Sequence, residues 1–409
     1  MLFRQHPDVD GFIDWKARTR KKTMENPPQV NDTLLVHVNK FFDREKAALQ
    51  FVFPAMDLPE DSSSILTKHP RDRDRSVTEI LETAERDAGR GSLLFRITKV
   101  VQCEVNRYSR VYFGRLEWHL SSETSTETQA IVTRTQPICL KLFDEALFKD
   151  FSQKQYASLP PASEGYSPRH HIWATDSVPL CSAVDMMQYE HAVYSRMEKF
   201  QGTFLPHVYG FHEITLPEGR NLYGFFTEII EGKVLTSQEF RRYPVKWRAY
   251  FLHRLRHAIR ALALNRISQE DWNAGQIIFT NIPELEEGPE EEDEPGEDIE
   301  LEEMDSEDGE DRLDTESGET EDEEDRHDTE LEDMEDWEDR LDFVLVDFAF
   351  TELRLGSLRE GKPVGEIFGG GLGMARSNAL AWAVFYVALE MGPAITDESI
   401  WFAEDDCEA

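Results

Sequence analysis

The chain has 409 residues, of which 81 are Asp or Glu and 44 are Lys or Arg, so its formal net charge is −37. This length suits one large domain or two modest domains, and the acidic balance argues against a nucleic-acid-binding surface, because contacts to phosphate groups need clustered Lys and Arg. The four cysteines are widely spaced and form no C-x-x-C pair, so the sequence supports neither a disulfide framework nor a structural zinc site.

No part of the sequence favours a membrane or secretory protein. The first residues, Met1–Pro7, lack the apolar region of a signal peptide. No run of apolar residues approaches the roughly 18 that a membrane-spanning helix needs. We therefore expect an intracellular protein, in the cytoplasm or the nucleus, without a membrane partner.

The first 90 residues are polar and repeatedly interrupted by proline. Two short apolar stretches, Leu34–Val38 and Leu49–Phe53, suggest elements that lie on another domain. Five basic side chains fall between Lys16 and Lys22, which fits either a solvated helix end or a nuclear-import signal. We interpret residues 1–90 as an N-terminal extension rather than an independent fold.

From residue 91 onward, strand patterns come first and helix patterns follow. Runs rich in β-branched and aromatic residues, or apolar residues at helical spacing, predict the elements. The predicted strands are Leu93–Val101, Val111–Leu120, Thr128–Phe143, His207–Ile214, Leu222–Ile230, Gln276–Thr280 and Phe343–Val346. The predicted helices are Ser182–Phe200, Trp247–Leu264 and Ala375–Glu390. This order indicates an α+β fold with two lobes.

Most of the negative charge lies in one segment, Glu284–Arg340. Its 57 residues hold 34 acidic and 3 basic side chains, a local net charge of −31, whereas the other 352 residues have a net charge of −6. Such a segment cannot bury enough apolar area to offset the entropy lost on ordering, so we predict that it is disordered. It is either an expanded loop under little structural constraint or an acidic arm that binds a basic partner protein, and the sequence does not separate the two.

Lys141 and Glu190 are the first pair of side chains that point to chemistry. Lys141 lies inside the strand that ends at Phe143 and projects from the face opposite Leu140, and a partly buried Lys there needs an anion. Glu190 is the only charge on the apolar stripe of the helix Ser182–Phe200, so it needs a cation. We predict that Lys141 and Glu190 pair. The alternatives are a Lys stem that runs along an edge strand and a Glu at the exposed margin of the stripe.

Two further segments carry side chains suited to phosphoryl transfer. Asp271 follows the long helix and precedes Gln276 by five residues. This spacing resembles the loop H-R-D-x-x-x-x-N, in which the Asp accepts a hydroxyl proton and the Asn binds magnesium. Asp347 follows a buried strand and begins Asp-Phe-Ala, which resembles the magnesium-binding D-F-G.

The features occur in the order strand Lys, helix Glu, linker, long helix, Asp loop, strand and Asp-Phe. In this order the sequence resembles the protein-kinase superfamily, and in particular the divergent fungal kinase-like proteins, over about residues 93–392. Ile138–Lys141 is similar to V-A-I-K, and Phe225–Gly232 is similar to the strand and hinge that lead into the C-lobe. Ser377–Trp382 resembles the start of the central C-lobe helix.

The resemblance implies a bilobal protein-kinase-like fold of the α+β class. It would have a β-rich N-lobe, a reduced helical C-lobe and a long disordered acidic insertion. The implied boundaries are the N-lobe at residues 91–231, the two parts of the C-lobe at 232–283 and 341–409, and the insertion at 284–340.

The resemblance also implies that the protein binds ATP and Mg²⁺. Lys141 would orient the α- and β-phosphates, and Glu190 would hold Lys141. Glu228 and Ile230 would lie at the adenine edge.

For catalysis, the resemblance makes Asp271 the base and Gln276 and Asp347 the metal ligands. Two departures weaken this chemistry. The turn Gln102–Arg110 has no glycine, which restricts close approach of the backbone to phosphates, and Gln276 carries one methylene more than Asn. We therefore expect ATP binding with weak or absent phosphotransfer to a protein or small-molecule hydroxyl. The alternative is a nucleotide-free pseudokinase scaffold, or an interaction protein that acts through its acidic arm.

Overall fold

The computed structural model describes residues 9–41, 51, 54–120, 131–148, 182–235, 237–243, 245–269, 274–282, 342–349 and 351–353. Its strands are β1 (Thr33–His37), β2 (Gly91–Gln102), β3 (Arg110–Leu120), β4 (Ile131–Arg134), β5 (Ile138–Phe143), β6 (Val208–Thr215), β7 (Asn221–Thr227), β8 (Ile267–Gln269), β9 (Ile277–Thr280), β10 (Asp342–Leu345) and β11 (Thr351–Leu353). Its helices are α1 (Val9–Glu25), α2 (Glu60–Leu66), α3 (Arg75–Arg86), α4 (Ala183–Arg196), α5 (Ser237–Arg242) and α6 (Val245–Leu264).

Six strands form a closed antiparallel barrel. They are hydrogen-bonded in the order β2, β1, β6, β7, β5 and β3, and β3 returns to pair with β2, while β4 continues the sheet beyond β3. Because side chains alternate along a strand, every second residue faces the interior. Leu140 of β5, for example, pairs with Tyr112 of β3 and Phe226 of β7, and all three are fully buried. Packed side chains therefore fill the barrel.

The barrel closes because the strands β2 and β3 are long and because β1 lies between β2 and β6. The long strands β2 and β3 pair along most of their length, with register shifts between Ile97 and Lys99 and between Val100 and Gln102. Such bulges bend a strand and increase its twist. Strand β1 then fills the remaining gap, since Leu35 pairs with β2 on one side and with β6 on the other.

The outer face of β5, β6 and β7 is covered by a second layer. This layer contains α4, α6, the antiparallel pair β9–β10 and the antiparallel pair β8–β11. Aromatic side chains form much of the contact, and Phe225 of the barrel packs against Tyr194 of α4 at 5.9 Å between ring centroids. Phe251 of α6 packs in turn against Phe279 and Phe343 of the β9–β10 pair.

The N-terminal segment is tied to both layers. Asp74 caps the N-terminus of helix α3, because its side chain accepts a hydrogen bond from the Ser76 N–H, and the apolar face of the helix packs on the barrel core. Helix α2 places Ser62 beside His257 of α6, with 2.9 Å between Oγ and Nδ1. None of the helices in these ranges is long and apolar enough to cross a bilayer.

The bilobal protein-kinase-like fold predicted from the sequence is wrong. A closed six-stranded antiparallel barrel stands where a β-rich N-lobe was expected, and the described residues after it contribute few helices instead of a helical C-lobe. The physical reason is β1: residues assigned to an extension pair with both β2 and β6 and so close the sheet on itself. The predicted insertion at 284–340 and the predicted helix Ala375–Glu390 lie outside the described residues.

Candidate functional site

Lys141 is the centre of a buried charge cluster on the outer face of the barrel. It pairs with Phe225 of β7, and its side chain is 11% exposed. Since Leu140 and Leu142 fill the barrel interior, strand alternation directs Lys141 outward. Its Nζ lies 5.2 Å from the ring centroid of Phe143 and 5.8 Å from that of Phe225, so two aromatic faces help to stabilise the ammonium group.

Glu190 of α4 supplies the first carboxylate of the cluster. Its Oε1 accepts a hydrogen bond from the Lys141 Nζ at 2.5 Å, and its side chain is fully buried. Helix α4 begins with a capping box, in which the side chains of Ser182 and Asp185 each accept a hydrogen bond from the other's backbone N–H. The capping box fixes where the helix starts. The contact between Lys141 and Glu190 that the sequence predicts is present.

Asp347 supplies the second carboxylate from just beyond β10. Its Oδ1 accepts a hydrogen bond from the Lys141 Nζ at 2.6 Å, yet its side chain is 41% exposed. The backbone of Asp347 has a φ of 67°, a conformation that residues other than glycine rarely adopt. Two neighbours hold it there: the Gln269 Nε2 donates to the Asp347 carbonyl at 2.7 Å, and Phe348 packs edge-on against Tyr194.

One cation and two carboxylates give the cluster an unusual charge balance. Burial raises the pKa of Glu190 to about 7, and Asp347 adds to this rise while Lys141 opposes it. Burial alone would lower the pKa of Lys141, but the charges of Asp347 and Glu190 raise it above its usual value. Burial and the second carboxylate thus favour a proton on Glu190, while the two carboxylates favour the charged form of Lys141.

Gln276, a predicted metal ligand, adjoins Asp347 through the backbone. Its carbonyl accepts a hydrogen bond from the Val346 N–H at 2.9 Å. The Gln276 side chain is 3% exposed, and its Oε1 has no hydrogen-bond partner among the described residues. A buried amide oxygen of this kind retains its capacity to accept a hydrogen bond or to bind a cation. The ranges that the structure covers hold no group of three or more His, Cys, Asp or Glu able to bind a metal, so a metal here would also need oxygen atoms from a ligand.

The remaining predicted site residues are Asp271, Glu228 and Ile230. Asp271, the predicted base, lies outside the described residues. Glu228 forms an ion pair with Arg71 at 2.9 Å and accepts a hydrogen bond from the His207 N–H at 2.8 Å. Ile230 is half-buried. Sequence reasoning missed Arg71, because a single Arg in a polar segment carries no periodic or motif signal.

The glycine-free turn between β2 and β3 is anchored to the segment that follows β5. Asn106, with a φ of 64°, donates its N–H to the Leu147 carbonyl at 2.8 Å. Tyr108 packs edge-on against Phe148, with ring centroids 5.2 Å apart. These contacts hold the turn in place, and they use a backbone N–H that a phosphate-binding loop would direct to its ligand.

Comparison with known proteins does not assign the chain to a family. No protein-family model matches it, and no curated protein is significantly similar to it in sequence. The resemblance to the protein-kinase superfamily, which rested on the order of short motifs, is therefore wrong, because the closed barrel contradicts it and no family match supports it.

Proposed function

We propose that the protein binds ATP together with Mg²⁺ at the cluster of Lys141, Glu190 and Asp347, and that phosphotransfer to a protein or small-molecule hydroxyl is weak or absent. The observation that carries this proposal is the unequal burial of the two carboxylates around Lys141. Glu190 is fully buried, whereas Asp347 is 41% exposed. Glu190 can therefore hold Lys141 while Asp347 gives up its contact with Lys141 to an entering phosphate.

The charge balance explains why binding needs the metal. A phosphate group alone would approach a cluster that has no surplus positive charge and would be repelled by Asp347. With Mg²⁺ present, phosphate oxygens can bind Lys141 while the Asp347 carboxylate binds the metal, so that every charge keeps a partner. We therefore expect nucleotide affinity to depend strongly on Mg²⁺.

The side chains near Asp347 suit Mg²⁺ bound jointly with a nucleotide. Mg²⁺ in nucleotide sites takes one or two protein carboxylates, phosphate oxygens and water. Asp347 offers the carboxylate, and the buried Gln276 Oε1 is the second candidate ligand. The bound metal would neutralise phosphate charge.

Two observations favour weak or absent transfer of the phosphate group. The turn between β2 and β3 lacks glycine, and the Asn106 N–H is bonded to Leu147. The candidate site accordingly lacks one of the usual sources of phosphate-binding N–H groups at this turn. A cytoplasmic or nuclear location, where Mg-ATP is plentiful, fits the proposed function.

Thermal unfolding with and without nucleotide tests the proposal. Binding raises the free energy of unfolding by RT ln(1 + [L]/Kd), which is about 2.7 kcal/mol when the ligand is at 100 times Kd. We expect stabilisation by ATP with Mg²⁺, little with ATP plus a chelator, and a loss of about tenfold or more in Mg-ATP affinity in Asp347→Asn. Asp57→Asn is the matched control, because Asp57 is fully exposed and pairs only at the surface with Lys199.

Absence of any Mg-dependent stabilisation at millimolar ATP would reject the proposal. Equal effects of Asp347→Asn and Asp57→Asn on Mg-ATP affinity would mean that the nucleotide binds elsewhere. Isothermal titration calorimetry on the same three proteins separates these results, because it measures affinity without unfolding the chain.

The second candidate function is a nucleotide-free scaffold or interaction protein. The net charge of −31 over residues 284–340 favours it, since such a segment attracts basic partners at long range. Under this reading, Lys141 is already satisfied by Glu190 and Asp347 and the cluster serves stability alone. Salt-dependent binding of a basic protein that is lost with residues 284–340, with no nucleotide binding, would favour this function over the first.

A further inference from the structure

The strand that precedes Asp347, β10, pairs with β9 and is also hydrogen-bonded to a carbonyl group in the turn before β6. The Leu345 N–H, two residues before Asp347, donates to the Phe204 carbonyl at 2.8 Å. Phe204 is fully buried, and its turn contains Gly202 with a φ of 79°. The bond to the Phe204 carbonyl therefore supports the end of β10 next to Asp347, in addition to the pairing of β10 with β9.

Arg71 holds the two carbonyls on either side of Phe204. Its Nη1 donates to the Thr203 carbonyl at 2.6 Å, and its Nη2 donates to the Leu205 carbonyl at 3.0 Å. The planar guanidinium fixes the angle between these two bonds, which a flexible ammonium group cannot do. The Phe204 carbonyl thus lies between two carbonyls that one rigid side chain holds.

Glu228 holds the guanidinium from the other side. One oxygen, Oε1, accepts from the Arg71 Nε at 3.2 Å and from the Arg71 Nη2 at 2.9 Å. The same carboxylate accepts from the His207 N–H, and the His207 ring lies 2.9 Å from the Arg71 carbonyl. The side chain and the backbone of Arg71 are therefore both fixed to the turn.

We propose that Arg71 is a positioning residue for the Mg-nucleotide site, and this inference rests on the function proposed above. Arg71 touches neither Lys141 nor the ligand in this scheme. It fixes the carbonyl that anchors β10, and β10 in turn sets where the Asp347 carboxylate meets the metal. Residues 67–74, between α2 and α3, thereby link the N-terminal segment to ligand binding.

Arg71→Met and Arg73→Met form a matched pair for the test. Arg73 lies two residues away, donates to the Val208 carbonyl at 2.8 Å and stacks over Tyr209, but within the described ranges it makes no hydrogen bond to the Phe204 turn. We expect Arg71→Met to speed hydrogen exchange of the Leu345 amide by about tenfold or more, with the amides of the β5–β7 pair unchanged. Arg73→Met should leave the Leu345 amide as in the wild type.

The ligand readout separates positioning from mere stability. Asp347 acts through the metal and Lys141 through phosphate, so Arg71→Met should reduce by about tenfold the gain in ATP affinity that Mg²⁺ provides. Metal-free ATP affinity, which is already weak because Asp347 repels phosphate, should not fall. Loss of folded protein would lower both affinities equally. Glu228→Gln, which keeps Arg71 but weakens its support, should shift both readouts in the same direction by a smaller factor, and it serves if Arg71→Met does not fold.

Each outcome decides one question. A Leu345 amide that exchanges at the wild-type rate in both Arg71→Met and Glu228→Gln would overturn the positioning role, whatever ATP does. Faster exchange in a protein whose wild type binds no Mg-ATP would keep the structural link and reject the nucleotide site. Equal losses in Arg71→Met and Arg73→Met would mean that the whole segment, and not Arg71, supports β10.

Discussion

Asp144 and Lys141 each lie at the centre of a buried ion cluster on the barrel, and the two clusters differ in charge balance and in the exposure of their carboxylates. Asp144, which is 1% exposed, binds Arg110, and it binds Arg220 through two bonds of 2.8 and 2.9 Å. Two arginines therefore surround the carboxylate at its centre, and Glu218 binds the second of them, Arg220. Around Lys141, carboxylates outnumber the cation, and one of them, Asp347, is open to solvent.

The pKa values follow this difference. Burial would raise the pKa of Asp144, but the hydrogen bonds from Arg220 and the charges of Arg110 and Arg220 lower it below its usual value. Burial raises the pKa of Glu190 to about 7 even though Lys141 is beside it. Burial of charge alone does not identify a ligand site. The Lys141 cluster differs from the Asp144 cluster in that one of its carboxylates, Asp347, is 41% exposed, whereas Asp144 and Glu218 are 1% and 14% exposed.

The largest effect is expected from Asp144→Asn. Removing this carboxylate leaves Arg110 as a buried cation without its partner, which costs on the order of 3–5 kcal/mol in the free energy of unfolding. Mg-ATP affinity of the folded fraction should not change. Urea denaturation at pH 7 measures the loss. Glu218→Gln is the control, because it removes a carboxylate that binds Arg220 at 3.1 Å and leaves Asp144 in place. Its cost in the free energy of unfolding should stay under about 1 kcal/mol.

A small loss in Asp144→Asn, equal to that of Glu218→Gln, would contradict the assignment of this cluster to stability. A selective loss of nucleotide affinity would do so as well. Either result would remove the contrast with Lys141.

Lys141→Met should show a destabilisation that grows with pH. The folded-state pKa of Glu190, about 7, lies above its ordinary value of 4.5, so folding takes up a proton between these pH values and wild-type stability declines as pH rises through them. Without Lys141 this pKa rises further, because an attraction that lowers it is gone. We therefore expect the loss of stability to grow by up to about 2 kcal/mol between pH 7 and pH 8.5, because each pH unit above the wild-type pKa of about 7 adds at most about 1.4 kcal/mol.

Chemical denaturation at several pH values measures this dependence, and Glu190→Gln supplies the control. When Lys141→Met and Glu190→Gln are combined, the pH dependence of the free energy of unfolding between pH 5 and 8.5 should largely disappear, since the titrating carboxyl of Glu190 is absent. The two single losses should also be non-additive, because the side chains are in contact. A loss in Lys141→Met that is independent of pH would mean that Glu190 does not titrate in this range.

The sequence predicted local structure well. Strands close to β2, β3, β6 and β7 and helices close to α4 and α6 were predicted, because periodicity and residue type are local signals. The run Thr128–Phe143 divides into β4 and β5, with Pro137 in the interval between them. The contact between Lys141 and Glu190 was also predicted, since a charge on each apolar face needed a partner.

The overall fold was not predicted, because its decisive contacts are far apart in the chain. Leu35 of β1 pairs with Leu94 and with Thr215, and nothing near Leu35 in the sequence indicates either partner. The order of short motifs pointed instead to a two-lobed fold. The amide of Gln269 holds the backbone of Asp347, a contact between residues 78 apart in the chain that no local pattern indicates.

The smallest effect is expected from removing the acidic segment that precedes β10. Thr280 at the end of β9 pairs with Asp342 at the start of β10, so a short Gly/Ser linker in place of Glu284–Arg340 can join the strands without moving either. Asp342 must remain, because it binds the buried Arg254 at 2.6 Å. Shortening a loop of roughly sixty residues about tenfold lowers its closure cost by at most about 2 kcal/mol, so stability should be unchanged or slightly higher.

The same deletion variant tests whether nucleotide binding at the Lys141 cluster needs residues 284–340. Mg-ATP affinity should match that of the full chain, because Lys141, Glu190 and Asp347 all lie outside the deleted residues. Calorimetry on the full chain and the variant makes the comparison, and a version with the linker lengthened by ten residues controls for strain at the new turn. A molten or insoluble variant would show that Glu284–Arg340 supports the fold. Lost nucleotide affinity in a well-folded variant would instead make the segment part of the site, and the exposure of Asp347 would no longer explain ligand binding by itself.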